Sequence, residues 1–183
     1  MTVTAPNTPT APPALSLVFP VFDEEGNLGE LMAGACKVGD ELGYTFEIIV
    51  VNDGSRDESA NILDDWARRD PRIRVIHHTQ NHGYGAALRA GLKSARGDRI
   101  FFSDADLQFD LAQLRDLLAH SADYDIVAGY RSPRRDPWPR LLIAGVWASV
   151  VRLFFGLGVR DIDCAFKLFD RRVIESIPLA SVG

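Results

Sequence analysis

The sequence is poor in cysteine and has no apolar run long enough to cross a membrane. Only two of the 183 residues are cysteine, Cys36 and Cys164, and two isolated cysteines form neither a disulfide framework nor a metal-ligand spacing. We therefore expect buried thiols and a reducing compartment. The uncharged stretch at residues 141–151 (LLIAGVWASVV) is far shorter than the roughly 20 apolar residues that a spanning helix needs.

An excess of positive charge is also missing. With a net charge of −5, the chain as a whole is not expected to bind nucleic acid. Residues 1–14 have neither the basic start nor the apolar centre of a signal peptide, and their proline content predicts a disordered tail. The hydrophobic content of 46% is enough for residues 15–183 to form one domain with a buried core.

What the sequence does contain is an alternation of short apolar runs and amphipathic stretches. The apolar runs predict strands at residues 15–20, 46–51, 73–76, 100–102 and 125–130. Helical periodicity lies between them, most clearly at residues 28–42, 86–94 and 111–120. Repeating units of about thirty residues predict an α/β fold with a mostly parallel sheet flanked by helices.

Helix boundaries are predicted from short capping patterns. Asn27 with Glu30, and Ser55 with Glu58, have the three-residue spacing of a capping box. Gly43 is predicted to end the first helix, because glycine adopts the left-handed conformation common at this position.

Polar side chains follow each of the first four predicted strands. In strand order they are Asp23 and Glu24, then Asp53, then His78 and Asn81, and last Asp104 and Asp106. Ligands of parallel sheets collect at the carboxyl ends of the strands. The sequence therefore predicts one binding site along this edge of the sheet.

The residues after the fourth strand (SDADLQ, 103–108) suit a divalent cation. Two carboxylates one residue apart are costly without a positive partner. Asp106 and the amide oxygen of Gln108 offer the oxygen ligands that a hard cation prefers, with diphosphate oxygens completing the shell. An acidic turn exposed to solvent is the alternative interpretation.

A basic, proline-rich loop at residues 131–140 directly precedes the uncharged stretch at 141–151. A basic loop beside an interfacial helix attracts anionic membrane surfaces, and arginine binds phosphate bidentately. A lipid phosphate would satisfy both segments, whereas a buried core helix is the alternative. Lys167 is a further candidate to neutralise a phosphate, unless it forms a surface pair with Asp161 or Asp163.

Five segments, taken in order, resemble the family 2 inverting glycosyltransferases of the polyprenyl-phosphate branch, which includes dolichyl-phosphate mannosyltransferase. They are residues 20–27 (PVFDEEGN), 51–57 (VNDGSRD), 81–85 (NHGYG), 104–108 (DADLQ) and 161–169 (DIDCAFKLF). The resemblance implies a GT-A fold, a nucleotide-diphospho-sugar donor linked to GDP or UDP, Mg²⁺ or Mn²⁺, and a lipid-phosphate acceptor.

The resemblance also implies roles for individual residues. The base and ribose would be held by Pro20, Phe22, Glu24 and Asp53. Asp104 would contact the nucleotide or the donor sugar, and Asp106 with Gln108 would bind the metal, so that Asp104 and Asp106 carry catalysis. Phosphates would be faced by Arg131 and Lys167, and further by Arg134 and Arg135.

The expected activity is metal-dependent transfer of a sugar to a polyprenyl phosphate, with inversion, by a protein peripheral to the cytoplasmic face of a membrane. Two alternatives remain: transfer to a saccharide or soluble hydroxyl, which requires a general base, and an inactive module that binds nucleotide-sugar or a membrane surface. The second follows from the chain ending at Gly183, where the resemblance implies further elements. Phe109 and Asn52 also depart from the pattern, which has proline and commonly aspartate there.

Overall fold

The computed structural model describes residues 12–131, 161 and 163–179. The first eleven residues of the predicted tail lie outside this description, as do the predicted apolar helix at 141–151 and most of the basic loop. The elements below are those of the described residues.

Within the described residues, the predicted strands and helices are present with small changes in their bounds. The strands are β1 (Leu15–Val21), β2 (Phe46–Asn52), β3 (Ile73–His77), β4 (Arg99–Ser103), β5 (Ile126–Ala128) and β6 (Phe166–Asp170). The helices are α1 (Glu25–Leu42), α2 (Ser59–Arg69), α3 (Tyr84–Ser94), α4 (Leu114–His120) and α5 (Arg171–Ser176), and a 3₁₀ turn (Leu111–Gln113) precedes α4.

These strands form one sheet in the order β3-β2-β1-β4-β6-β5. Strand β6 runs antiparallel to both neighbours, whereas the β1–β2, β1–β4 and β2–β3 pairs are parallel. The predicted α/β fold with a mostly parallel, helix-flanked sheet is confirmed. The sequence interpretation missed β6, whose lysine and aspartate interrupt the apolar residues.

Apolar side chains cover both faces of the sheet. One face packs against α1, α2 and α4 through residues such as Phe19, Phe101 and Leu31. The other face packs against α3 and α5 through a smaller cluster that includes Val18 and Phe102. Burial on both faces explains why β1 and β2 are continuous apolar runs without alternation.

Strands β1 and β4 stop pairing before they reach the carboxyl edge of the sheet. The β1–β2 pairing continues to Val21, but the β1–β4 pairing ends at Val18. Pro20 lies beyond that point, so its missing N–H removes no bond to β4. Because the strand order also reverses between β1 and β4, this is the position at which open α/β sheets bind ligands.

The structure corrects two of the predicted helix starts. Helix α1 begins at Glu25, and the Asn27 side chain donates to Glu24 Oε2 (2.7 Å) instead of capping the helix. Helix α2 begins at Ser59, and the Ser55 hydroxyl accepts a bond from the neighbouring loop at Asp23 N–H (3.0 Å). The predicted stop at Gly43 is confirmed, with φ of 72°.

Candidate functional site

Residues that follow β1, β2, β3 and β4 lie along one edge of the sheet, because these strands are parallel. The loops after β1 and β2 are bound to each other there. The Asp23 carboxylate accepts from Arg56 N–H (2.7 Å), and the Asp57 carboxylate accepts from Glu25 N–H (3.0 Å). The side chains of Asp23 and Asp57 therefore hold the loops, and Asp23 does so at a positive φ of 54°.

The first predicted nucleotide-binding segment presents two of its three candidate side chains at the surface of this edge. Phe22 is 39% exposed, and Glu24 is half-buried. Pro20, in contrast, is buried within β1, so its ring supports the sheet. An exposed aromatic ring beside a carboxylate suits a nucleoside, which offers a flat base and ribose hydroxyls.

Asp53, the next candidate, points into the protein and is only 2% exposed. Its carboxylate accepts hydrogen bonds from His78 Nδ1 (2.6 Å), His82 N–H (3.0 Å) and Gly83 N–H (2.8 Å). Burial alone would raise the pKa of Asp53, but the three donors outweigh it and lower the pKa below the usual value. Asp53 thus fixes the loop after β3.

Asp104 directly follows β4, at the edge of the sheet where β1 and β4 no longer pair. Its Oδ1 atom is buried and has no hydrogen-bond partner in the described part of the chain. Burial raises the pKa of Asp104, as do the nearby Asp106 and Glu24 carboxylates, while the Tyr84 hydroxyl and the Arg131 guanidinium oppose the rise. A buried carboxylate oxygen without a donor is costly, so this atom is available to a ligand.

Asp106 and Gln108 belong to a tight turn directly after Asp104. The Asp106 carboxylate accepts from Gln108 N–H (3.1 Å), and Leu107 between them has a positive φ of 58°. The Gln108 side chain is exposed and lines a groove of about 550 Å³ between α1 and residues 107–112. The turn therefore fixes Asp106, and it leaves Gln108 at the surface.

These residues fit a divalent cation in their donor atoms. Asp106 offers carboxylate oxygens and Gln108 an amide oxygen, and Asp104 adds a buried oxygen that lacks a partner among the described residues. Within residues 12–131, 161 and 163–179, no group of three His, Cys, Asp or Glu side chains is arranged as a protein-only metal site. A cation at this place would need oxygens of a bound ligand to complete its coordination shell.

Two of the predicted phosphate-binding residues lie beside Asp104. The Arg131 guanidinium pairs with the buried Asp161 carboxylate, with Nε 3.0 Å from Oδ2. Lys167 is half-buried, with Nζ 5.7 Å from the centre of the Phe102 ring. Burial lowers the pKa of Lys167, and neighbouring acidic groups, Asp104 among them, oppose this in part. Arg134 and Arg135 lie outside the described residues.

Sequence reasoning did not assign a role to Tyr84. It is the first residue of α3, is 51% exposed, and places its hydroxyl against the Asp104 carboxylate. Burial and the proximity of Asp104 together raise the pKa of Tyr84 well above that of a free tyrosine. The available signal was its place in the glycine-rich segment NHGYG, where a large aromatic side chain stands between two glycines.

Residues 16–177 match the family described as Glycosyl transferase family 2, and the chain belongs to this family. A curated relative is the undecaprenyl-phosphate 4-deoxy-4-formamido-L-arabinose transferase of Pseudomonas fluorescens, 37% identical over 173 residues. That match covers 89% of this chain and 49% of the relative. The predicted family and its polyprenyl-phosphate branch are therefore confirmed.

Solved structures show the same fold at lower identity. A mannosyltransferase from Pyrobaculum calidifontis, in complex with GDP-Man and Mn²⁺, superposes with a TM-score of 0.63 and 20% identity, covering 96% of this chain and 49% of that one. Glucosyl-3-phosphoglycerate synthase from Mycobacterium tuberculosis, in complex with UDP, gives 0.64 and 19%, covering 88% and 58%. The predicted GT-A fold is confirmed.

The chain spans about half the length of the curated relatives it matches. In the described residues, no helix has both the length and the apolar character required to span a membrane.

Proposed function

We propose that the chain transfers a sugar from a GDP- or UDP-linked donor to a polyprenyl phosphate, with inversion at the anomeric carbon. The observation that carries the proposal is the unpaired buried oxygen of Asp104, which lies after β4 near Asp106 and Lys167. The curated relative is named for transfer to undecaprenyl phosphate. The two solved structures hold GDP-Man and UDP.

The donor is proposed to lie along the carboxyl edge, with its nucleoside near Phe22 and Glu24 and its sugar near Asp104. The unpaired Asp104 Oδ1 would accept a hydrogen bond from a sugar or ribose hydroxyl. Pro20 and Asp53 would support the site from within the protein without contacting the donor, since both side chains are buried. These roles are proposals that combine the family pattern with the exposure of each residue.

Mg²⁺ or Mn²⁺, held by Asp106 and Gln108, would neutralise negative charge on the leaving diphosphate. The chain's own contribution is to hold the reacting groups in line. The turn bond from Gln108 N–H to the Asp106 carboxylate keeps that carboxylate oriented before a donor arrives.

The acceptor phosphate is proposed to be bound by Arg131 and Lys167, with Arg134 and Arg135 as further contacts. An oxygen of that phosphate would form the new bond to the anomeric carbon as the bond to the diphosphate oxygen breaks. The electron pair of the broken bond stays with the diphosphate. Because the attacking phosphate oxygen is already anionic, the reaction needs no strong general base.

The acceptor also determines where the protein works. A polyprenyl phosphate resides in a membrane, so we propose that the protein acts as a peripheral enzyme at the cytoplasmic face. The basic loop at residues 131–140 would lie next to the anionic lipid surface.

The test is transfer of radiolabelled sugar by the purified chain from GDP- and UDP-linked donors, with undecaprenyl phosphate and Mg²⁺ or Mn²⁺. We expect label in the organic-extractable product, and a loss of about a hundredfold or more in Asp106→Ala, because a charge-stabilising group is removed. Transfer of label to an added saccharide instead of the lipid would favour a saccharide acceptor. Donor binding without any transfer would favour a binding module.

A further inference from the structure

Strand β5 lies at the edge of the sheet, and β6 is its one neighbour among the described strands. Two backbone bonds to β6 flank the strand. The Asp125 carbonyl accepts from Asp170 N–H, and Gly129 N–H donates to the Phe166 carbonyl, both at 2.8 Å. Because successive residues of a strand direct their backbone groups to opposite sides, residues 125, 127 and 129 face β6.

Ile126 and Ala128 consequently direct their N–H and C=O groups away from the sheet. A strand edge with unpaired backbone groups is a template for another strand. Natural proteins usually protect such an edge with proline, a charge or a bulge. Residues 126–128 (IVA) contain neither proline nor a charge, and their register with β6 is uninterrupted. The outer side of β5 is therefore suited to pair with a further strand.

The same edge presents an apolar stripe of side chains. Tyr124, Ile126 and Tyr130 are 63%, 48% and 54% exposed. Side chains two residues apart in an extended chain lie on the same face of the sheet, so these three line up with Ala128 between them. Aromatic residues are enriched at protein interfaces. Backbone and side chains thus point to the same edge as a contact surface.

The charges at the two ends of β5 indicate which partner fits. Asp123 and Asp125 are exposed before the strand, and Arg131 follows it with a side chain about a third exposed. An antiparallel second copy of the strand places the acidic end of one copy against the basic end of the other, and does so at both ends. An anionic lipid surface would instead be repelled by Asp123 and Asp125.

We propose that β5 pairs antiparallel with β5 of a second copy of this chain, about a twofold axis at Val127. In this register Ile126 lies opposite Ala128 of the partner subunit, and the outward backbone groups of the two residues bond to each other. Tyr124 lies opposite Tyr130 of the partner subunit. The two sheets then continue into each other. This pairing does not depend on the proposed function.

The pairing also brings the second copy close to the candidate site. Strand β5 runs in the same direction as β4, because each is antiparallel to β6. Its end at Tyr130 and Arg131 therefore lies toward the carboxyl edge of the sheet. Tyr124 of the partner subunit would stand beside that end, so each copy would border the other's phosphate-binding residues.

The first experiment is analytical ultracentrifugation of the purified chain over roughly 1–500 µM, because a short interface is weak. We expect a monomer–dimer equilibrium. Ile126→Lys should weaken the dimer about tenfold or more, since twofold symmetry places the lysine twice in the apolar contact. Ile177→Lys is the matched control: Ile177 is similarly exposed, at 46%, but lies beyond α5, and the equilibrium should not change.

A disulfide test examines the register. Cys36→Ser removes the more accessible native thiol, since Cys164 is buried. In that background Val127→Cys should form a covalent dimer on oxidation, because two residues paired on the axis have Cα atoms about 4.5 Å apart, within disulfide range. Ile126→Cys should crosslink much less, although its side chain is more exposed, because its own copy lies diagonally about 7–8 Å away.

Three results would overturn the pairing. One is a wild type that remains monomeric at every concentration. Another is a dimer that Ile126→Lys leaves as stable as Ile177→Lys does. The third is a crosslinking yield for Ile126→Cys that equals or exceeds that of Val127→Cys. If the wild type is monomeric but binds phosphatidylglycerol vesicles and Ile126→Lys does not, the edge is a membrane contact and the proposed pairing is wrong.

Discussion

Arg131 and Asp161 form an ion pair where the chain leaves β5 and returns toward β6. The Arg131 Nε lies 3.0 Å from Asp161 Oδ2, Nη2 lies 3.3 Å from Oδ1, and the Arg131 N–H adds a bond of 3.3 Å to Oδ2. Asp161 is only 5% exposed, while the Arg131 side chain is about a third exposed. The ion pair therefore joins the segment after β5 to the segment before β6, at the edge of the sheet that holds Asp104.

The two halves of this pair should not be equivalent on mutation. Arg131→Met removes the guanidinium that pairs with a buried carboxylate, and we expect a loss of about 3 kcal/mol in the free energy of unfolding. Asp161→Asn leaves an arginine that solvent can reach, so the loss in the free energy of unfolding should be smaller, about 1.5 kcal/mol. Urea unfolding of both variants measures the difference. Equal losses would show that Asp161 is more accessible to water than its burial indicates.

The role of Arg131 shows how far sequence reasoning reached into the site. The resemblance to the family predicts that Arg131 faces a phosphate, and the structure places its guanidinium near Asp104. Its partner, Asp161, reaches Arg131 because the chain returns to the sheet as β6. The sequence interpretation did not include β6. Strand pairing between segments distant in sequence leaves no local pattern, so the ion pair was not predictable from spacing.

Tyr84 is expected to support the Asp104 carboxylate. Tyr84→Phe removes the hydroxyl beside a carboxylate that already has one unpaired oxygen, so kcat/KM for the sugar donor should fall about tenfold, within the range for a hydrogen bond to a charged group. The melting temperature should change little, because Tyr84 is 51% exposed. Transfer assays and thermal unfolding of the variant measure these effects.

Tyr44→Phe is the control for that experiment. Tyr44 is similarly exposed, at 49%, but lines a separate groove with Arg115 and Leu118. We expect its kcat/KM to match that of the wild type. A Tyr84→Phe variant as active as Tyr44→Phe would remove Tyr84 from the site.

Glu47 should make stability depend on pH. It is 2% exposed at the start of β2 and accepts from Arg96 N–H (2.7 Å), Ser16 Oγ (2.8 Å) and Arg74 Nη1 (2.9 Å). Burial would raise the pKa of Glu47, but these donors together lower it below the ordinary 4.5. Because the folded pKa is the lower one, the stabilisation is complete above pH 4.5 and is lost as the pH falls through the folded pKa.

Glu47→Gln tests this dependence. We expect the variant to be less stable than the wild type by about 3 kcal/mol at pH 7, because two arginines lose their buried partner. The difference should narrow as the pH falls below 4.5, since the wild-type carboxylate then becomes protonated. Urea midpoints measured from pH 7 to pH 3 give the comparison. A constant difference over that range would show that folding does not lower the pKa of Glu47.

The corrected helix starts show another limit of the sequence. Ser55 and Glu58 have the spacing of a capping box, and local pattern alone favours that arrangement. In the fold, the Ser55 hydroxyl instead accepts from Asp23 N–H. Bonds between two loops thus replaced a bond within one helix. The parallel sheet was predictable because its signal, the continuous apolar strand, is local, whereas the interlocked loops depend on β1 and β2 being neighbours.

Gly54 and Gly43 provide the last test, since both have nearly the same positive φ, 70° and 72°. A Cβ at Gly43 would meet nothing within 4 Å, so Gly43→Ala should cost only the left-handed backbone conformation, about 1 kcal/mol. A Cβ at Gly54 would lie 2.5 Å from the Gln80 carbonyl carbon and 2.7 Å from Asn81 N. Backbone cannot move aside as a side chain can, so Gly54→Ala should displace the loop that follows β3. We expect a loss of about 3 kcal/mol or more in urea unfolding. Equal losses in the two variants would show that this loop is free to shift away from Gly54.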